Sequence, residues 1–264
     1  MQQSTSGVHR SDSPVHPVPT QPMTATSTPV EKPPSVWEDL LELFYAPTAV
    51  FERRRETPAF AVALIVFTLL LVGLSFAFRG MMEPVFDVEF KRGMAQAMKQ
   101  NPKLTQEMMD QGKEMAKKFM FVGVAFYGLL APIILGILLW LVGKFLESKA
   151  EIGQAIMVTT YAMFPRILET IINAVQMLVL PEDGINSHFR LTLGVGRFLD
   201  ADTVSPMLLA LAGRVDLFTL WVTFIIAVGI RVTGRISTSR AVIAAAMMWL
   251  IGATPAVWGA LRAG

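Results

Sequence analysis

The stretch PAFAVALIVFTLLLVGLSFAF, residues 58–78, decides the fold. Its 21 residues contain no charged side chain. A helix rises about 1.5 Å per residue, so the run covers the roughly 30 Å hydrocarbon core of a bilayer. Four further apolar runs follow it: 119–142, 152–180 with Pro165 inside, about 206–230, and 241–261. Each is long enough to span. The runs 58–78, 119–142 and 241–261 have no interior charge, whereas the third holds Arg166 and Glu169 and the fourth holds Arg214 and Asp216. The expected fold is therefore all-α, a polytopic bundle of five transmembrane helices over residues 58–261.

Composition agrees with a membrane protein. Apolar residues make up 53% and charged residues 17%, against about 25% charged in a typical soluble domain. A net charge of +2, with basic residues mostly between apolar runs, gives no reason to expect nucleic-acid binding. The absence of cysteine excludes disulfides, iron–sulfur clusters and thiol catalysis. Of the three histidines, His9 and His16 lie in the polar N-terminal tail and only His188 lies elsewhere. No metal site and no cofactor is expected.

Ahead of the first run, residues 1–34 are rich in Ser, Thr, Pro and Gln and read as a disordered tail, unable to bury enough apolar surface to offset ordering. They lack the apolar core and cleavage site of a signal peptide. Residues 35–57 read as amphipathic juxtamembrane helices. Ser35 and Glu38 form an S-x-x-E capping box ahead of Leu40, Leu41, Leu43 and Phe44. A second short segment runs from Pro47 to Arg53, Arg54 and Arg55. Two placements fit this pair: helices on the membrane surface with the arginines at lipid headgroups, or helices packed on the bundle.

Lys and Arg set the expected orientation. One side holds Arg53–Arg55, Lys144 and Lys149, and Arg231, Arg235 and Arg240; the other holds residues 79–118, nearly balanced by acids, and 181–205, where acids prevail. This bias places the N-terminus in the cytoplasm and the C-terminus outside. Residues 81–118 form an exterior loop with helical spacing and many methionines, Met81, Met82, Met94, Met98, Met108, Met109 and Met115 among them. Thioethers are soft enough to hold copper(I), but without a repeated Met-x-x-Met ladder they read as gap-filling in a small helical hairpin.

Ionisable residues inside a span cost roughly 2.5–3.5 kcal/mol each on insertion scales, so they tend to face partners in the bundle. Here the cluster is Arg166, Glu169, Asn173 and Gln176 in the third span, with Arg214 and Asp216 in the fourth. Counted from the cytoplasmic ends, Arg166 and Asp216 both lie about 21 Å deep and Glu169 and Arg214 about 25 Å deep. Opposite signs at both levels predict that the two spans are neighbours, with Asp216 facing Arg166. The balance of charge favours a structural layer over an ion path. Pro132, Pro165 and Pro255 would each loosen a span. There is no P-loop, no H-E-x-x-H, and no hydroxyl beside a base, so no catalytic residue is expected.

Four stretches carry a family resemblance. They are Ala46-Pro47-Thr48-Ala49-Val50-Phe51-Glu52-Arg53 with Pro58, Thr159–Pro165, Asp216-Leu217-Phe218-Thr219-Leu220-Trp221 running to Gly229, and Ser239-Arg240-Ala241. In order and spacing they resemble the Yip1-domain family, particularly its bacterial branch. The resemblance implies a five-helix membrane domain with a cytoplasmic N-terminus. Eukaryotic members are linked to Rab-type GTPases and vesicle trafficking. This chain lacks the tyrosine- and glycine-rich motif those members carry before the first span, so Rab-type GTPase binding is not carried over. Two functions follow as expectations: a non-enzymatic membrane organiser binding the bilayer and protein partners through its cytoplasmic N-terminal region, or a small transporter or channel using the polar face of the third and fourth spans.

Overall fold

A computed structural model describes residues 2, 35–181 and 184–263 of the chain. The expected disordered tail, apart from Gln2, lies outside the described residues. The helices are α1 (Val36–Glu42), α2 (Pro47–Arg54), α3 (Phe60–Ala77), α4 (Arg79–Gln100), α5 (Gln106–Phe145), α6 (Ile152–Ala162), α7 (Pro165–Val179), α8 (Pro206–Ala212), α9 (Leu217–Gly234) and α10 (Thr238–Ala263). Five segments are long and apolar enough to cross a membrane: α3, α5, α6 with α7, α9 and α10. The all-α, five-span fold is the one expected. The turns at 146–151 and 235–237 define one side of the bundle, here called proximal; residues 78–105, 180–181 and 184–216 make the other, distal side.

Two helix boundaries differ from the span limits expected. The second span is not a separate helix, because α5 runs unbroken for 40 residues from its Thr105 cap. At about 1.5 Å per residue that is some 60 Å, twice the hydrocarbon core. The charges at 107–118 change the solvent a helix prefers, not its backbone, so nothing stops it there. The loop expected to be exterior is thus a hairpin of α4 and the first turns of α5, joined by Lys113–Asp87 (2.8 Å) and Lys117–Glu83 (2.5 Å).

The fourth span, expected from 206, is broken. Here α8 ends at Ala212 and α9 begins at Leu217. The loop at 193–195 pairs with the break, Val195 N–H donating to Val215 C=O (2.9 Å) and Leu217 N–H to Leu193 C=O (3.1 Å). Backbone groups freed in mid-run are thereby satisfied, as burial demands. A Cβ at Gly194 would lie 2.7 Å from the Val215 carbonyl oxygen, so this close approach needs glycine.

The N-terminal helices pack into the bundle. Leu40, Leu43, Val50 and Phe51 are buried in one core with Phe67, Leu139, Tyr161, Ile225 and Ile230. Three contacts fix their height along α9. The Phe44 ring lies 5.4 Å from that of Trp221, Phe51 lies against Gly229, and Glu56 reaches Arg235 at 3.5 Å. From Trp221 to Gly234 the helix rises about 20 Å. The hairpin therefore runs beside most of a span instead of lying across the membrane surface. Of the two placements the sequence allowed, the structure has the packed one.

Candidate functional site

The third span is interrupted at Met163 and Phe164, where Pro165 opens α7. Met163 N–H bonds the carbonyls of Thr159 and Thr160, which tightens the end of α6. Beyond the interruption, Arg166, Glu169, Asn173 and Gln176 recur at helical spacing and share one face of α7. Arg166 Nη1 donates to Glu169 Oε2 (2.6 Å), and Nη2 donates to Thr219 Oγ1 on α9 (2.8 Å). Gln176 donates to the Leu191 carbonyl.

Asp216 has a different task from the one expected. It is the N-cap of α9, its Oδ1 accepting from Phe218 N–H (2.9 Å) and Thr219 N–H (3.0 Å). A buried helix start leaves orphan N–H groups, and a capping carboxylate satisfies them. The ion-pair partner of Arg166 is therefore Glu169 on its own helix. The third and fourth spans are neighbours at this level, and the bridging side chain is Thr219. Arg166 stands about 21 Å above the proximal end of α6 and Thr219 about 22 Å above that of α9. Since α9 starts only at Leu217, this polar layer sits near its distal end.

Arg214 does not join the layer through a carboxylate. Its Nη2 donates to the Trp249 carbonyl (3.1 Å), Trp249 Nε1 donates back to the Arg214 carbonyl (3.1 Å), and the guanidinium lies 5.7 Å from the Trp249 ring centre. Gly252 leaves room for this clasp, since a Cβ there would lie 2.9 Å from Nη2. Asn173 Oδ1 and Arg214 Nε are buried without a hydrogen-bond partner.

The basic triplet is engaged with carboxylates. Arg53 Nη2 lies 2.5 Å from Asp39 Oδ1 and 2.6 Å from Glu42 Oε2, Arg54 Nε lies 2.5 Å from Asp39 Oδ2, and Arg55 Nε lies 3.0 Å from Glu56 Oε1. The buried Asp39 holds α1 to α2. Sequence reading missed Asp39, Thr219 and Trp249. Their partners lie 14, 53 and 35 residues away, too far for helix periodicity to signal.

A second polar cluster locks the distal side. Glu89 Oε1 on α4 accepts from His188 N–H (2.9 Å), and His188 Nδ1 and Arg92 Nη1 lie 2.9 and 3.3 Å from it. Arg92 also bonds the Asn186 carbonyl (2.6 Å) and Asp202 (2.9 Å). Burial pushes the Glu89 carboxyl up, but the His188 hydrogen bonds and the Arg92 charge outweigh it and hold the group below its ordinary 4.5. Among the methionines of the α4–α5 hairpin, Met82 packs against the small core of Val85, Ile185 and Leu191. Among the described residues no three His, Cys, Asp or Glu side chains stand close enough to hold a metal ion.

Comparison with the curated proteins and with the solved structures gives no match. The family model described as the Yip1 domain matches residues 41–259, from α1 through the last turns of α10. With that match spanning all five apolar segments, the chain belongs to the Yip1 domain family of multi-pass membrane proteins.

Proposed function

We propose that this protein is a non-enzymatic membrane organiser that binds protein partners. We assign it to the bacterial branch of its family, in the cytoplasmic membrane, with its N-terminus in the cytoplasm and its C-terminus outside. The basic residues Lys144, Lys149, Arg231, Arg235 and Arg240 on the proximal side support that orientation. One observation carries the functional reading. The charged side chains of the third and fourth spans are used on one another and on backbone, Arg166 by Glu169 and Thr219, Asp216 as a helix cap. Such groups rigidify a bundle and leave no spare acid to carry a proton. The surfaces left for partners are the tail, the exposed Tyr45 side chain at the turn between α1 and α2, and the distal α4–α5 hairpin.

A transporter or channel is the competing reading, and the unpartnered Asn173 Oδ1 and Arg214 Nε favour it. Photo-crosslinking in cells from the tail, from Tyr45 and from α4, paired with solute flux in proteoliposomes, separates the two. The organiser reading expects discrete protein adducts and flux no higher than in empty vesicles. Flux abolished by Asn173→Leu, without adducts, would replace it by transport.

A further inference from the structure

Beside the N-terminal hairpin lies a groove of about 480 Å³ lined by Trp37, Leu40, Leu41 and Phe44 of the hairpin, by Leu70 of α3, by Phe164, and by Ile167, Leu168 and Ile171 of α7. We propose that this groove holds one acyl chain of a phospholipid. The proposal is independent of the organising role.

Four observations select that occupant. The first is position. Leu70 is the eleventh residue of the 18-residue α3, and Ile167 the sixteenth of the 28-residue third span. The groove thus opens at mid-height of the bundle, where the surroundings are hydrocarbon. The second is lining: every residue that lines it is apolar, so a polar ligand would lose its hydrogen bonds there. The third is side-chain size. Helices that pair in membranes approach over Gly, Ala and Ser, but this groove presents Trp, Phe, Leu and Ile. A bulky, uneven floor suits a flexible chain better than a rigid helix from a second copy. The fourth is the chain's own tail, which is rich in Ser, Thr, Pro and Gln and poor in large apolar residues, so it is not matched to the groove. The volume also fits. It is roughly sixteen times the ~30 Å³ that a water molecule occupies, and a methylene group is of similar size.

The groove owes its existence to the seating of the hairpin. Along α1 and the turn that follows it, Leu43 faces the core while Trp37, Leu41 and Phe44 line the opening. An acyl chain would cover that remaining apolar face and tie the hairpin to the bilayer around it.

The test uses the full chain in phosphatidylethanolamine–phosphatidylglycerol vesicles doped with a phosphatidylcholine carrying a diazirine near one acyl terminus. After illumination, labelled peptides are mapped by mass spectrometry. The expected result is several-fold enrichment at Trp37, Leu41, Leu168 and Ile171 over Phe126, Leu130 and Leu141 of α5, which are also exposed. Leu168→Trp, which fills the groove, should bring Trp37 and Ile171 down to the α5 level. Uniform labelling of all exposed spans in the unmodified protein would overturn the proposal without reference to any variant. So would a photo-reactive amino acid placed at Leu41 that captures tail peptides or a second copy of the chain in place of lipid.

Discussion

At the scale of single residues, the Arg166–Glu169 pair decides whether the polar layer stabilises the bundle. Removing one partner of a buried pair leaves an uncompensated charge, at a cost of roughly 3 kcal/mol. Arg166→Met should lower stability in denaturant titrations by about that much, and adding Glu169→Leu should restore most of it. If both variants were equally unstable, the pair would not be coupled. Asp216→Ala should cost about 1–2 kcal/mol through the lost cap, whereas Asp216→Asn keeps an accepting oxygen and most of the stability. The hydrogen bonds of Asp216 make it legible as a cap in the structure. In sequence, the apolar run on both sides made it look like a charge inside a span.

Glu89 carries the pH dependence of the distal side. Its carboxyl is held below the ordinary 4.5 in the folded protein. The stabilisation is therefore complete above pH 4.5 and is lost as the pH falls through the depressed folded value. Hydrogen exchange across 186–202 should rise in that acid range. In Glu89→Gln the rise should be absent, and exchange should be fast at neutral pH.

At the scale of elements, what could be read from sequence followed from what periodicity encodes. The run 58–78 announced a span because length and lack of charge are local properties. The extent of α5 was hidden because the membrane boundary at 119 changes side-chain chemistry without breaking the helix. The break at 213–216 was hidden for the opposite reason, since the apolar composition continues while loop residues 193–195 satisfy the backbone. Whether the hairpin lay on lipid or on protein was undecided because either partner covers the same apolar face. Helix contact is also set by glycine. A Cβ at Gly136 of α5 would lie 2.5 Å from Ile156 Cα on α6, so the backbones touch as small residues allow. Gly136→Leu should push α5 from α6 and lower the unfolding temperature in detergent. Gly123→Leu, with open space around its Cβ position, should leave it unchanged.

At the scale of the whole molecule, five spans enclose a core that the N-terminal hairpin completes, and the long α5 carries a distal cap. The candidate site is a by-product of that arrangement. The sequence grouped Arg166, Glu169, Asn173 and Gln176 as one polar cluster of the third span, but the partners of Arg166 and Arg214 depend on tertiary contacts across 53 and 35 residues. The insertion of the hairpin is the claim on which both the core and the groove depend. Since the chain has no cysteine, a pair can be introduced cleanly. Phe44→Cys with Trp221→Cys, in membranes and with a short bifunctional thiol reagent, is predicted to crosslink within the monomer, while Phe44→Cys with Arg235→Cys is predicted not to. Crosslinking to position 235 in place of 221 would put the hairpin at the membrane surface and contradict the account.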